Sequence, residues 1–592
     1  MKLKRQSILM IIAGVAVIVI GFILFAYYSP AGWKIPFLTR SETQPTPDLT
    51  KAAIEAKANE AKIKDINSIA VDKMGKFRLL YSTIGYDSQA TKHALVRTFN
   101  TIDISKVSNQ CVWELKDLDK KTVLSGTLKT APETYGLQLW EADFSSMKTS
   151  GSYYLQITMK IDDTPEILVS NVFQIKPSLL SAEILEGITL DNAEARIAPA
   201  SLGGGYYDCN WSTMGEGYSH GVFLNGLSQT FAYLETDLKD SDKKRYIAAS
   251  NIAFDYLISL IKINGVIDHQ NPARPYYQGT KFGIMNSQEG LYGLAAYMDI
   301  FKGKDERANE DNYKKIMQVL GFVESSGPFG WQAGYDTYDE YLIPIYLHLY
   351  KYSGDVKLKD EAIGVLNEQL KKFDLRTMWR SGFRAIPMFE GLRMCVEMFP
   401  DHPDYSSWIS RAKEIKDEFF YDIINRNAFQ LITTSTASLA MMEWDDMGRV
   451  PMGDPLNGGI NAQAASAYSM DACILGKITG DRNMEKIATG QLNWILGIHP
   501  GLPKWAVVNP VSNRNRESGA LITGLPVRSV SVSYNVWKPA NDRILSIVNG
   551  FSMYGQPFRY DNIWQNSENF IKWDGSFAYA ICVYEDYLSS IK

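Results

Sequence analysis

The chain has 592 residues, 45% of them apolar and 21% charged, with a formal net charge of -5. That length exceeds one ordinary hydrophobic core and implies two or more domains. The composition excludes a largely disordered chain, and the negative balance gives no electrostatic case for a nucleic-acid partner.

Residues Ile8 to Tyr28 form an almost unbroken apolar run. A helix needs roughly 20 apolar residues to cross a bilayer, and this run meets that length. Lys2, Lys4 and Arg5 precede it, so the positive-inside bias places the N-terminus in the cytoplasm and the body outside the cell. The run is longer than the apolar region of a cleaved signal peptide and no A-x-A-like site follows it. An uncleaved single-pass anchor in the cell membrane is therefore expected. Residues 1–28 read as cytoplasmic tip and transmembrane helix. Residues 29–75 read as a stalk, with the proline-marked linker Thr43-Gln-Pro-Thr-Pro and an Ala/Lys/Glu stretch from Lys51 to Lys64.

Over residues 76–178 the pattern is β. Short runs such as Cys111-Val-Trp-Glu-Leu, Thr122-Val-Leu-Ser-Gly-Thr-Leu and Ser152-Tyr-Tyr-Leu-Gln-Ile-Thr are separated by polar turns, which suits a small antiparallel immunoglobulin-like sandwich. Over residues 179–592 the period becomes helical. Segments near 222–236, 243–262, 287–301, 310–324, 337–353, 356–372, 384–398, 404–419, 461–478, 484–496 and 573–589, with a weaker one near 430–444, make about a dozen helices. That number of antiparallel helices in one domain suits an all-α (α/α)6 toroid whose loops at one end build an open cleft.

The five cysteines, Cys111, Cys209, Cys395, Cys473 and Cys582, are scattered and form no Cys/His cluster. No zinc site and no cofactor are expected, and most of the thiols read as buried and free. Trp444-Asp445-Asp446 with Asp454 offers oxygen ligands for a structural calcium, without an EF-hand pattern. Gly217-Tyr218-Ser219-His220-Gly221 fits the G-x-S-x-G nucleophile elbow, but no apolar strand precedes it and the surrounding pattern is helical. A serine hydrolase is disfavoured on that ground.

Several motifs carry a family resemblance. In the small domain they are Ile84-Gly85-Tyr86, Asp143-Phe144-Ser145 ahead of Thr149-Ser-Gly-Ser-Tyr-Tyr-Leu, and Asn171-Val-Phe-Gln-Ile. In the large domain they are Gly204-Gly-Tyr-Tyr-Asp208, Gln491-Leu-Asn-Trp-Ile-Leu-Gly497, and Tyr560-Asp561 leading to Ser567-Glu568 and Trp573-Asp574. With these the chain resembles glycoside hydrolase family 9, in the subgroup with an N-terminal immunoglobulin-like domain, over about residues 77–590. The resemblance implies an (α/α)6 barrel that hydrolyses β-1,4-glucans with inversion at the anomeric carbon.

The resemblance gives Glu568 the role of general acid, with Phe570, Trp573 and Phe577 as aromatic surroundings able to raise its pKa. Asp208 matches the first carboxylate of the family's Asp-Ala-Gly-Asp, which helps to hold the water. Trp211 stands where the second Asp, the base, should be, and a neutral indole cannot take a proton from water. Glu216 is the nearest spare carboxylate and a candidate replacement base. Asp208 and Glu568 are expected to face each other across the cleft at roughly 6.5–9.5 Å, the separation that admits a water in an inverting enzyme.

The family's His-Arg pair is absent, with Arg514 a weak substitute. The candidate sugar-binding set is Tyr207, Trp211, His269, Trp331, Trp379, Arg514 and Trp573. Two functions remain open: a membrane-anchored hydrolase of a β-linked polysaccharide, or a polysaccharide-binding or synthesis-associated protein on the same fold that has lost efficient hydrolysis.

Overall fold

A computed structural model describes residues 47–70, 77–98, 103–134, 137–162, 164–198, 200, 204–208, 217–268, 280–326, 339–373, 381–421, 427–432, 441–444, 448–451, 462–499, 522–524, 526–528, 537–539, 545–547 and 570–591. The chain divides into two units, Met1–Ala61 and Lys62–Lys592. Of the first, the described part is the opening of helix α1 (Pro47–Ile69). Within the second unit the end of α1 has a buried Ile66, and Asn67 accepts a hydrogen bond from the Val172 amide at 2.8 Å. The apolar run Ile8–Tyr28 lies outside the described residues. Among the described residues no helix is long and apolar enough to cross a membrane.

Ten strands build the small domain: β1 (Phe77–Leu80), β2 (Gly85–Asp87), β3 (His93–Thr98), β4 (Val112–Asp117), β5 (Thr122–Thr127), β6 (Lys129–Thr134), β7 (Leu137–Asp143), β8 (Gly151–Ile161), β9 (Thr164–Val169) and β10 (Phe173–Lys176). One sheet runs β1-β3-β7-β6 and the other β2-β10-β8-β4-β5, with β9 also on β8. All pairs are antiparallel except β2 with β10. Alternate residues of each sheet meet in an aromatic core. Tyr86 packs edge-on against Phe144 and Phe173, with centroids 5.0 and 5.3 Å away. Its buried hydroxyl is satisfied on both sides, donating to the His93 carbonyl at 2.8 Å and accepting from the Ser82 amide at 3.0 Å.

The large domain opens with a helical segment over 181–195 and continues through α2 (Gly217–Leu234), α3 (Asp240–Leu260), α4 (Thr280–Ile300), α5 (Glu310–Ser325), α6 (Leu342–Ser353), α7 (Val356–Lys372), α8 (Ser381–Met398), α9 (Tyr405–Ile415), α10 (Ala462–Thr479), α11 (Met484–Leu496) and α12 (Ile571–Ser590). The even-numbered helices form a closed ring, each packed on the next and α12 returning to α2. The 181–195 segment and the odd-numbered helices from α3 to α11 lie outside it. The sequence decides which helix goes where. α7 buries one stripe, Leu358, Ala362, Ile363, Leu366 and Leu370, and keeps its charges outward. In α10 the residues from Ala462 to Gly476 are buried all round. The sandwich docks against α11: Thr83 donates to the Leu496 carbonyl at 2.9 Å, and the Thr91 amide and hydroxyl reach Glu485 at 2.7 and 2.8 Å.

The described cysteines, Cys111, Cys395, Cys473 and Cys582, are buried and free. The weak helical segment near 430–444 is corrected. Met441–Trp444 is a strand paired with Gly448–Pro451, and the Thr433-Thr-Ser-Thr run ahead of it is poor in helix formers. Gly217–Gly221 is the first turn of α2 rather than a strand-to-helix elbow.

Gly221 explains that glycine-rich start. A Cβ there would fall 1.9 Å from the Glu289 carbonyl oxygen, and one on Gly293 would fall 2.1 Å from the Gly221 carbonyl oxygen. The backbones of α2 and α4 therefore touch, and no flexible side chain can yield. Gly221→Ala is expected to destabilise the chain by about 3 kcal/mol, the upper part of the usual overpacking range. Denaturant unfolding of the purified body measures it, and an unchanged midpoint would contradict the close crossing.

Inside the ring the packing is partly polar. Glu390 accepts hydrogen bonds from Tyr579 at 3.0 Å, Gln229 at 3.3 Å and the Tyr292 hydroxyl. His348 bonds Asp299 at 2.8 Å. Burial disfavours its imidazolium, but Asp299 and Glu390 outweigh that and hold His348 above the ordinary histidine range. Four inner helices, α2, α4, α6 and α8, are thus keyed to α12 through one hydrogen-bonded cluster.

Candidate active site

Asp208 ends the glycine turn that follows the 181–195 segment. Gly204 and Gly205 have φ of +76° and +71°. At Gly205 a Cβ would also meet the Tyr256 ring at 2.7 Å and His220 Nε2 at 2.8 Å. Only glycine fits there. The next residue, Tyr206, is buried flat against His220, and its amide donates to His220 Nε2 at 2.8 Å. That nitrogen is therefore the acceptor of the ring. The Tyr206 hydroxyl donates to the Ala249 carbonyl at 2.6 Å.

Asp208 itself is fully buried. Its backbone carbonyl accepts two hydrogen bonds, from the Arg196 guanidinium at 2.7 Å and from the Ile571 amide at 3.0 Å. Ile571 opens α12, so Asp208 satisfies one of the amides that a helix N-terminus leaves unpaired. Glu568 stands three residues before Ile571 in the chain. The glycine turn and the C-terminal run are thus joined directly, although 363 residues separate Asp208 from Ile571 (571 minus 208).

A buried polar cluster holds that junction. Arg196 donates through Nε to Asn192 at 2.7 Å, and through its two amino groups to the Tyr207 carbonyl at 3.2 Å and to Ser546 at 3.1 Å. It also lies 3.5 Å from Asp574. Asp574 accepts from Asn192 at 2.7 Å, from the Ile547 amide at 2.7 Å and from Ser546 at 3.0 Å. Burial pushes the Asp574 carboxyl up to about 7, against the pull of Arg196 and of these donors. Ser546 and Ile547 come from the short strand Leu545–Ile547, which pairs with Ile522–Gly524.

A second cluster sits on the same helix ends. Lys572 Nζ lies 4.4 Å from the centre of the Tyr218 ring and 5.9 Å from that of Phe570. Tyr218, on α2, donates its amide to Asn286 of α4 at 2.9 Å. One turn along α4 is Glu289, 3% exposed, whose Oε2 has no hydrogen-bond partner among the described residues. Burial raises its carboxyl to about 7, and the charge of Lys572 works in the opposite direction.

Of the residues expected from sequence, the structure describes Asp208, Tyr207 and Trp573. Tyr207 is half-buried, with its amide on the Arg196 carbonyl at 2.7 Å. Trp573 is 2% exposed and packs edge-on against Phe570 at 5.0 Å. Glu568, Glu216, Trp211, His269, Trp331, Trp379 and Arg514 lie outside the described residues, as does the expected separation of Asp208 from Glu568. The same holds for Asp445, Asp446 and Asp454, and no cluster of metal-binding side chains occurs among the described residues.

Sequence reasoning missed Arg196, Glu289 and Lys572. Two of them carried signals. Lys572 puts a cation in the first turn of a helix, against the dipole. Glu289 is a lone carboxylate ahead of the apolar run Gly290-Leu-Tyr-Gly-Leu-Ala-Ala.

An immunoglobulin-like sandwich stands against a ring of paired helices, and a buried carboxylate lies where the glycine turn meets the last helix. Residues 80–160 match the family model for the cellulase N-terminal ig-like domain. Among solved structures, a metagenome-derived glycoside hydrolase family 9 endoglucanase superposes with a TM-score of 0.58 at 13% identity, covering 87% of this chain and 100% of its own. A Bacteroides ovatus family 9 protein gives 0.58 at 13% identity, covering 86% and 99%. A single mutant of the thermostable endoglucanase from Alicyclobacillus acidocaldarius gives 0.55 at 11%, covering 86% and 100%. A search of curated proteins by sequence finds no match. The chain shares the fold of these solved family 9 structures, and its residues 80–160 match the cellulase N-terminal ig-like domain.

Arg196→Met should cost about 3–5 kcal/mol, because it strands a buried carboxylate. Replacing Asp574 by Leu in the same chain should recover part of that loss. Denaturant unfolding of the two single variants and the double variant decides it. A double variant as unstable as the sum of the singles would remove the ion pair from the account.

Proposed function

We propose that this chain is a membrane-anchored glycoside hydrolase whose extracytoplasmic body cleaves a β-linked polysaccharide with inversion. The observation that carries the reading is the hydrogen bond from the Ile571 amide to the Asp208 carbonyl. It ties the backbone of the residue that ends the glycine turn to the start of α12, three positions after Glu568 in the sequence, on a fold shared with solved endoglucanases and with a structure that holds a cellobiose-like isofagomine. In this reading Glu568 protonates the leaving glycosidic oxygen and Asp208 orients the water on the opposite face of the sugar. Half-buried Tyr207, with Trp211, Trp331 and Trp379, supplies sugar-stacking surface. His269 and Arg514 complete the substrate-contacting set, while Trp573, expected there from sequence, is 2% exposed and packs against Phe570 behind the surface.

The anchor rests on the Ile8–Tyr28 run and its basic flank. It keeps the body near its own membrane, so a nascent or cell-surface glycan fits better than bulk plant cellulose.

Trp211 favours a second reading. With an indole where the base belongs, the cleft would bind a polysaccharide without cutting it efficiently. Release of reducing ends from a panel of β-glucans, amino-glucans and bacterial exopolysaccharides separates the two, since a binding protein retains the glycan and releases none. On a glycan that is cut, Glu568→Gln should lower kcat by about 10²–10⁴-fold while binding persists. Wild-type turnover in that variant would remove Glu568 from the mechanism.

The topology has its own test. Protease added to intact cells should release the body by cutting before about residue 75, since exposed linkers are preferred nicking sites. A body that is cut only after lysis would reverse the orientation.

A further inference from the structure

The face of the sandwich that docks on the barrel carries a histidine. His93 opens β3, and alternation along that strand divides its side chains between two faces. Ala94 and Val96 belong to the interior of the sandwich, whereas Leu95 joins the continuous apolar core of the barrel. His93 shares the parity of Leu95 and so faces the barrel. Two residues earlier, Thr91 is bonded through its amide and hydroxyl to Glu485 of α11, at 2.7 and 2.8 Å. His93 is 1% exposed, and neither ring nitrogen has a hydrogen-bond partner among the described residues. Buried polar side chains are nearly always hydrogen-bonded. This ring is instead sealed from water by the docking of one domain on the other.

The charged groups around the ring are Glu141 and Asp143 of β7, and Glu485 and Lys486 of α11. None of them hydrogen-bonds it. Burial, aided by Lys486, outweighs the carboxylates and holds the ring below the ordinary histidine range.

We propose that His93 is a pH-sensitive latch between the sandwich and the barrel, closed while the ring is neutral and opened when a proton makes it an imidazolium. The latch works whether or not the chain cuts a glycan. A sandwich that leaves α11 exposes the ring to water, where it takes a proton at about pH 6.5. Docked, the ring must give that proton up, because a buried cation without a hydrogen-bond acceptor costs free energy. The open state therefore binds more protons than the closed one. Docking is at full strength above about pH 6.5. Below it the docking equilibrium weakens by about tenfold per pH unit, until the docked ring itself protonates. The bonds released together are those of Thr91 to Glu485, of Thr83 to the Leu496 carbonyl at 2.9 Å, and of the Ala428 amide to Thr134 at 2.8 Å.

Hydrogen–deuterium exchange of the full chain reads the latch directly, because the amides of Thr83, Thr91 and Ala428 are donors across the junction. After correction for intrinsic exchange, their protection should fall about tenfold between about pH 7.5 and about pH 5.5. Amides of β4 and β8, paired within the sandwich, should keep theirs. His93→Leu fills a similar space, has no titrating group, and should stay closed at both pH values. His93→Gln, neutral and polar, takes its place should the leucine variant not fold.

Unchanged protection in the wild-type chain overturns the latch. So does an equal acid loss in either folded variant, since Glu141, Asp143 or Glu485 would then account for it. Should neither variant fold, the wild-type ring decides. Its carbon-13 resonance, one of six from histidine, must titrate below about pH 6.5. A midpoint at or above that value overturns the latch.

Discussion

The mouth of the barrel depends on one guanidinium. Arg196 is 4% exposed and spends its fork of donors on Asn192, the Tyr207 and Asp208 carbonyls, Ser546 and Asp574. Those partners come from four places in the chain: the opening helical segment, the glycine turn, a short strand and the last helix. A lysine has one point charge and could not hold them at once; a planar group with five fixed donors can. Buried ion pairs are poor sources of net stability, because desolvation consumes the Coulomb gain. What this one supplies is position. It holds the Asp208 carbonyl in line with the first amide of α12, and so joins the two segments on which the proposed chemistry stands.

The rest of the barrel makes that clamp rigid. The backbones of α2 and α4 meet at Gly221 and Gly293, where no side chain can act as a cushion. Further along the ring, Glu390 gathers Gln229, Tyr292 and Tyr579 from three other inner helices. Glycine contact sets the distance between helices and the polar cluster sets their rotation. Tyr218 and Lys572 are then carried to the mouth on elements that cannot easily slide.

Much of this was legible in the sequence, and the pattern of what was not is physical. Helix period and strand alternation follow from burial on one face, so the sandwich and most of the helices could be read from apolar spacing. The segment near 430–444 failed because a short apolar run carries no length signal to separate helix from strand. Asp208 was visible because the glycines before it announce a turn only glycine can make. Arg196 was not, since nothing in Glu194-Ala195-Arg196-Ile197 separates a buried hub from an ordinary surface arginine. Its partners are set by tertiary structure, with Ser546 lying 350 residues away. Glu289 was hidden for a related reason: its neighbours are set by the crossing of α4 with α2, which distance along the chain does not reveal.

The same physics bears on Lys572. It stands in the first turn of α12, at the positive end of the helix, where a cation is disfavoured. Its ammonium lies 4.4 Å from the centre of the Tyr218 ring, whose negative face offsets part of that cost. Its charge also opposes the rise that burial imposes on the Glu289 carboxyl. A lysine kept there against the dipole, between an aromatic face of α2 and the residue whose amide binds the Asp208 carbonyl, is thus held by tertiary contacts that no local preference of α12 would choose.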